Sequence, residues 1–551
     1  MKWLLLGILL YSKIIVSHYM TFDTSFNNTG YATIAGFTTI GIPAVAMQPD
    51  NKIIIAGNSG RSEFIIGRFN SNGQLDTTFN ANGTPGYTLS NYTTEGNWIY
   101  SLLVQVDGKI VAIGNGNNNG DSVMIIARYN IDGTPDTSFN TNGTPGYILT
   151  NLAGLTQTYL YAESSIDSNG NIIVGGQTTY ANQICGFVAR FLSNGTLDTT
   201  FNMNGIGTGG NPGYVLFAPV PSVSYFGKNL KLQVDGKIIL AGTVNNTDWF
   251  ITRYTNSGIL DTTTFNTQVT PGYIIASYGS NVNLFGLAAA PNGNIFVAGV
   301  TTLSNVDQCF VASYTISGAI NTNFNPTGLG SGVVGITTLL PELPNETATA
   351  AWGLGIFAEA SNKIIINGIT SANNVYNQYI ARYNTNGSLD TTFTPTGYFI
   401  NSNNTQSFEQ FPTSIKSQNG KIATAGLNNA NPAGFSFLLS NDLISSTSAE
   451  AVYGFNQAFI SEFLWNNFYT QIITDATART ATKNLVNTIV SNYASAYSQQ
   501  PNFNYINYIN LISYQLSDAQ VSLINSYPAS ANQINQYFLY LNKRIIRLQK
   551  P

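Results

Sequence analysis

One short block recurs along this chain, and its repetition constrains the fold more tightly than any other feature of the sequence. QVDGKIVAIG (105–114) returns almost unchanged as QVDGKIILAG (233–242). Looser copies begin at Gln48 (QPDNKIIIAG), Asp167 (DSNGNIIVGG), Ala290 (APNGNIFVAG), Ala360 (ASNKIIING) and Gln418 (QNGKIATAG), seven copies in all. At the centre of each stands a turn pair: Asp50-Asn51, Asp107-Gly108, Asn169-Gly170, Asp235-Gly236, Asn292-Gly293, Ser361-Asn362 and Asn419-Gly420. The second member is always Gly or Asn, the residues that accept positive φ, so each copy predicts a β-hairpin closed by a two-residue turn. The strand after the turn is apolar at consecutive positions, as in Ile110-Val111-Ala112-Ile113, which predicts cover on both faces.

A second motif follows each hairpin: FIIGRFNSNGQLDTTFN (64–80), MIIARYNIDGTPDTSFN (124–140), FVARFLSNGTLDTTFN (187–202), FITRYTNSGILDTTTFN (250–266), FVASYTISGAINTNFN (310–325) and YIARYNTNGSLDTTF (379–393). A fragment, FDTSFN at 22–27, opens the series, and an eroded FSFLLSN at 435–441 closes it. After the Asp-Thr element comes a Gly-Tyr strand, as at 86–89 and 146–149. Each unit therefore holds four strands: the Gly-Tyr strand, two hairpin arms and the Arg-Tyr strand. Such units, repeated and buried on both faces, predict an all-β fold, a seven-bladed β-propeller of four-stranded blades over residues 22–441. An open β-solenoid is the alternative, although its repeats are usually shorter.

The alternation of DGKIVAIG with ARYNxxGxLDTTF resembles the delta-60 repeat, a bacterial propeller module whose members are mostly of unknown function. That resemblance implies a seven-bladed propeller and brings no known active site with it. Repeat five departs from the pattern with Ser313 and Asn321, and repeat seven lacks the Arg-Tyr pair. Elsewhere an arginine precedes an aspartate by eight residues: Arg68/Asp76, Arg128/Asp136, Arg190/Asp198, Arg253/Asp261 and Arg382/Asp390. Joint loss of both charges in repeat five predicts a paired role, since a desolvated pair left with one partner is strongly destabilising. The pair reads as a structural clasp between blades rather than a functional charge cluster.

The ends of the chain follow a different grammar. A cationic start, the apolar run 3–11 and a small residue at Ser17 predict a signal peptide over 1–17, with an uncleaved anchor as the alternative. After 441, Thr447-x-x-Glu450 is a capping-box pattern followed by Val452, Phe455, Phe459 and Phe463 at helical spacing. With a second stripe at 485–493 and further helix starts at Ser517 and Ser530, residues 446–551 predict a small all-α domain. Lys543, Arg544, Arg547 and Lys550 close its last helix; they are either solvated cations at a helix C-terminus or, beside Ile545, Ile546 and Leu548, contacts for an acidic membrane or partner.

Composition excludes several functions. Charged residues are 9% of the chain and its formal net charge is −4, which gives phosphate backbones nothing to hold and argues against nucleic acid. The single histidine, His18, stands at the expected cleavage point, so histidine-based triads and zinc sites are excluded. Cys185 and Cys309 belong to non-adjacent repeats and predict two buried free thiols. Asn130-x-Asp132-Gly133-x-x-Asp136 has the oxygen spacing of a calcium loop, yet the equivalent places in other repeats carry too little charge, and Asx turns explain the same residues. Glu163, Glu342, Glu346 and Glu359 lie outside the repeat grammar and no spacing groups them. The glycines of 205–210 lack the lysine of a phosphate loop.

No catalytic, cofactor-binding or metal-binding residue is therefore assigned, and no cofactor is expected. The expectation is a non-catalytic, secreted or surface-exposed scaffold. It would recognise a protein or glycan through rim loops carrying Tyr180, Trp249 or Tyr376. The alternative is a histidine-free carbohydrate-active enzyme with two acids in the central channel.

Overall fold

The computed structural model describes residues 21–401 apart from short breaks, the backbone of three strands between 414 and 441, and residues within 473–485 and 520–534. The expected signal peptide, the first C-terminal stripe and the basic end lie outside the described residues.

Two short strands come first, β1 (Thr21–Phe22) and β2 (Tyr31–Ile34). Four-stranded antiparallel meanders follow. The first is β3 (Ala44–Met47), β4 (Ile53–Ser59), β5 (Glu63–Phe69) and β6 (Tyr87–Ser90). Next come β7 (Asn97–Val104), β8 (Ile110–Asn118), β9 (Asp121–Tyr129) and β10 (Tyr147–Thr150). In the third, β11 (Thr156–Tyr159) and β12 (Ser165–Ile166) share the first place beside β13 (Ile172–Tyr180), followed by β14 (Gln183–Phe191) and β15 (Tyr214–Phe217). The fourth is β16 (Tyr225–Leu232), β17 (Ile238–Val244), β18 (Asp248–Tyr254) and β19 (Tyr273–Ala276).

Two further meanders, packed against each other, are also joined by a single parallel bridge, Asp307 to Ala350. One is β20 (Ser280–Ala289), β21 (Ile295–Leu303), β22 (Val306–Tyr314) and β23 (Ile336–Leu339); the other is β24 (Ala350–Ala358), β25 (Ile364–Ala372), β26 (Val375–Tyr383) and β27 (Tyr398–Asn401). The last sheet holds β28 (Ser414–Gln418), β29 (Lys421–Asn428) and β30 (Gly434–Asn441), and its outer strand is β2, which pairs with β30 from Tyr31–Leu438 to Ile34–Phe435. The fold is all-β and propeller-like, built of meanders rather than solenoid coils.

The apolar runs explain the stacking. Ile53 to Ile55, Ile110 to Ile113, Ile238 to Leu240 and Ile364 to Ile366 are fully buried because sheets cover both of their faces. First strands meet around the centre: β3 packs on β7, β16 on β20, β20 on β24, β24 on β28, and β28 returns to β3. Glycine permits the closest approach. A side chain on Gly227 would collide with the Gly176 carbonyl of the preceding sheet.

Two sequence expectations need correction. The Gly-Tyr strand ends its sheet and does not begin it: Tyr147 pairs with Ala127 of the preceding Arg-Tyr strand. The hairpin turn spans three residues, not two. Gly108 N–H donates to Gln105 O and Gln105 N–H to Lys109 O, with Gly108 at φ 84, so a type I turn ends in a left-handed residue. The requirement for Gly or Asn was read rightly; the loop length cannot be seen in residue types alone.

In a meander, the first-to-second and third-to-fourth connections share one end, here the clasp rim. The second-to-third hairpins and the links to the next sheet share the other, the hairpin rim. After the last sheet, residues 477–482, 484–485, 520–526 and 531–534 are helical. Among the described residues no helix is long and apolar enough to cross a membrane.

Candidate functional site

The paired charges meet as the sequence implied. Arg68, Arg128, Arg190 and Arg382 place Nε 2.7, 2.6, 2.7 and 2.7 Å from Oδ2 of Asp76, Asp136, Asp198 and Asp390, and Arg253 Nη2 lies 2.9 Å from Asp261 Oδ2. Four of the arginines also cross to the next unit. The Nη1 of each donates to the carbonyl of Ile131, Ser193, Asn256 or Ile316, for Arg68, Arg128, Arg190 and Arg253 in turn. The guanidinium lies over a phenylalanine ring of its own unit, from 4.5 Å at Phe265 to 4.9 Å at Phe201 and Phe393. These contacts join neighbouring sheets along the clasp rim.

Sequence reasoning missed a second cation. The lysine of DGK reaches the same carboxylate in four units: Lys52–Asp76 at 2.8 Å, Lys109–Asp136 at 2.8 Å, Lys237–Asp261 at 3.2 Å and Lys363–Asp390 at 3.0 Å. The sequence does not show it: repeat five has Asn294 in place of that lysine, but repeat three has Asn171 there and keeps Arg190 and Asp198. Oδ1 accepts from a hydroxyl two or three residues on, Thr78, Ser138, Thr200, Thr264 or Thr392. Burial pushes these carboxyl pKa values up, but hydrogen bonds from the lysine and hydroxyl and the arginine's charge outweigh it. Asp76, Asp136 and Asp198 are held below the usual carboxylate range, and Asp261 and Asp390 at about 2.

A backbone series runs beside the clasps. The N–H groups of Asn80, Asn140, Asn202, Asn266 and Asn325 donate to carbonyls of Asp132, Asn194, Ser257, Ser317 and Asn386 in the following unit. Each donor has positive φ, which asparagine tolerates. The preceding phenylalanine packs on the next unit's turn glycine, as Phe79 does on Gly133 and Phe324 on Gly387. The opening fragment FDTSFN continues the series: Asn27 N–H donates to Asn72 O at 2.7 Å, and Phe26 packs on Gly73. The start of the chain thus joins the last sheet to the first.

Other candidates fall as follows. Asp132 Oδ1 accepts from Thr134 N and Oγ1 at 3.0 and 2.6 Å, the Asx turn expected in place of a calcium loop. Cys185 and Cys309 are buried free thiols, as expected, and burial pushes them up to about 11 and about 12. Glu342 is exposed on the hairpin rim and Glu359 lies in a turn on the clasp rim, so they do not converge; Glu163, Glu346 and 206–209 lie outside the described residues. Trp249 is not a rim residue. It is fully buried, stacks on Phe310 at 5.1 Å and donates Nε1–H to Tyr314 Oη at 3.0 Å. The segment read as a rim loop there is mostly strand, because β17 runs to Val244 and β18 starts at Asp248. The same shortening leaves Tyr180 at the end of β13 and Tyr376 within β26, both half-buried.

An arrangement unread in the sequence lies on the first strands. The residue after each repeated Ala-Gly or its equivalent pairs with Trp98, Tyr159, Phe226, Asn283 or Trp352, at Asn115, Gln177, Thr243, Val300 and Ile369 respectively. These five share one level near the hairpin rim and are all half-buried among otherwise buried neighbours. Just below, four of the strands carry a β-bulge, at Tyr100, Lys228, Phe285 and Leu354. A bulge re-aims the extra side chain and commonly stands beside functional sites. Burial lowers the pKa of Lys228, and Trp352 leans on Tyr376 with ring centroids 5.8 Å apart. The described first strands carry Lys228, Lys231 and Lys416 and no acidic residue.

Meanders stacked about a common centre define the class, a β-propeller-like protein. Five segments, 48–79, 105–139, 168–201, 233–263 and 359–393, match the family "Domain of unknown function (DUF5122) beta-propeller". Those five segments are repeats of that family type, the delta-60 repeat. The matched segments are those that keep the Arg–Asp pair; repeat five is not among them. No curated protein matches the chain in sequence.

Similar solved structures include the polysaccharide lyase Uly1, at 13% identity and TM-score 0.43, covering 73% of this chain and 90% of that one. A protein from Lactobacillus plantarum follows at 10% and 0.37, covering 70% and 91%. A gluconolactonase from Xanthomonas campestris is similar at 10% and 0.28, covering 74% and 88%. At these values none of their chemistry carries over.

Proposed function

We propose that the chain is a closed seven-bladed ring acting as a non-catalytic, secreted or surface-exposed scaffold, with its ligand, a glycan or a protein segment, held at the aromatic mouth on the hairpin rim. The observation that carries this reading is the level of half-buried Trp98, Tyr159, Phe226 and Trp352, with Tyr376 against Trp352. Large rings held on rigid strands offer contact area at small entropic cost, and a rigid scaffold presents them in fixed geometry. The repeat carboxylates are engaged in clasps on the opposite rim, and the described first strands that carry the aromatic level bear no acidic residue. A glycan array probed with the whole protein tests it. Trp98→Ala and Trp352→Ala are expected to lower a positive signal about tenfold or more, as loss of a buried aromatic anchor does. Binding unaffected by both, or glycan cleavage abolished by Glu163→Gln, contradicts it.

A further inference from the structure

We infer that the clasp rim is a lipid-facing surface, so that the ring lies on a membrane with its aromatic mouth turned away. Exposed large apolar side chains are strongly biased to that rim. Ile131, Met203, Ile259, Val269, Ile316 and Leu329 all stand in third-to-fourth connections, with Met203, Val269 and Leu329 exposed by 65%, 78% and 80%. Toward the hairpin rim the exposed large apolar side chains among the described residues are Val220, in a link between sheets, and Leu89 and Ile275, on fourth strands that end at that rim. Meander topology alone does not require this asymmetry, and solvated turns are ordinarily polar.

The chain ends point the same way. Thr21 pairs with Asn441, and the Asn27–Asn72 bond places this junction on the clasp rim. The described ring is thus entered at Thr21 and left at Asn441, side by side on the rim that carries the exposed apolar residues; the sequence before it includes the apolar run 3–11, and the sequence after it is the segment from 442. That segment ends with Lys543, Arg544, Arg547 and Lys550 among Ile545, Ile546 and Leu548, a composition suited to the interface of an anionic bilayer. Shallow apolar insertion and cationic attraction are each weak alone and reinforce one another when they act from one side of a rigid body.

The test is flotation of the whole protein with vesicles of phosphatidylglycerol and phosphatidylcholine in about equal parts, against phosphatidylcholine alone. A form beginning at His18 runs in parallel, so that the N-terminal run is scored separately. The wild type is expected to float with anionic vesicles, and Ile131→Asp/Ile259→Asp/Ile316→Asp to lower the floated fraction about tenfold. Val220→Asp on the other rim is expected to change nothing. Neutralising the four terminal cations is expected to remove the salt-sensitive part. Melting temperatures confirm that each variant is folded. Flotation unaffected by the triple variant overturns the inference. So does absence of flotation, including the case where hydrogen exchange shows the rim covered by the chain's own C-terminal segment or by a second copy. Glycan binding at the mouth is scored separately and survives either failure.

Discussion

Asn321 Nδ2 donates to Ser313 Oγ at 3.0 Å, a neutral hydrogen bond standing where five other units hold an arginine and an aspartate. Both residues are buried, Ser313 completely, and Phe324 is fully buried beside them, its N–H donating to Asn321 O at 3.0 Å. The unit lost its lysine, arginine and aspartate together and kept a satisfied pair. Replacing both members of a buried ion pair is cheap, whereas stranding one is costly.

This predicts that Ser313→Arg alone destabilises the protein by about 3 kcal/mol, because a buried guanidinium then faces an amide. Adding Asn321→Asp is expected to recover most of the loss, which chemical denaturation of the single and double variants will show.

The complementary experiment removes a clasp. Arg128→Ala leaves Asp136 with Lys109 as its one remaining cation beside the Ser138 hydrogen bonds, and breaks the bond to Ser193 O in the next unit. A loss of about 3 kcal/mol is expected. Because the pair acts as one unit, Arg128→Ala with Asp136→Ala should cost less than the sum, by about 1 kcal/mol or more in a double-mutant cycle.

Lys109→Met, by contrast, should cost no more than about 1 kcal/mol, because the lysine is partly solvated, with 26% of its side chain exposed. An effect as large as that of Arg128→Ala in the same denaturation series would contradict the division of roles.

The clasps also set the acid limit of stability. The carboxylates have lower pKa values in the folded protein than the ordinary value near 4 of an unfolded chain. Their contribution is complete above about pH 4 and is lost as pH falls from there through about 2. Thermal melts between pH 7 and 2 should hold level and then fall steeply below about pH 4, and less steeply in Asp390→Asn.

Repetition decided what could be read from the sequence. The hairpins and the Arg–Asp pair recur, so even the exception at Ser313 and Asn321 was informative. The phase of the Gly-Tyr strand was not, since pairing with the strand before or after leaves the same residues in place. Trp249 looked like a loop residue because tight turns and long strands share polar composition. The shared aromatic level was hidden for a different reason: Trp98, Tyr159, Phe226 and Trp352 come from segments that do not resemble one another. A bulge shifts register by one, so only the pairing shows that they share a level.

The account as a whole stands on closure, in which the first strands of the chain complete the last sheet. Thr33 and Ser436 are register partners across the junction of β2 and β30, and directly opposed residues of an antiparallel pair stand about 4.5 to 5.5 Å apart at Cα, a span a disulfide can bridge. The measurement is mass spectrometry of the Thr33→Cys/Ser436→Cys variant after mild oxidation and proteolysis, with the two native thiols buried and out of reach. A peptide linking residues 33 and 436 within one chain is predicted; two free engineered thiols, or a link formed only between chains, would contradict it.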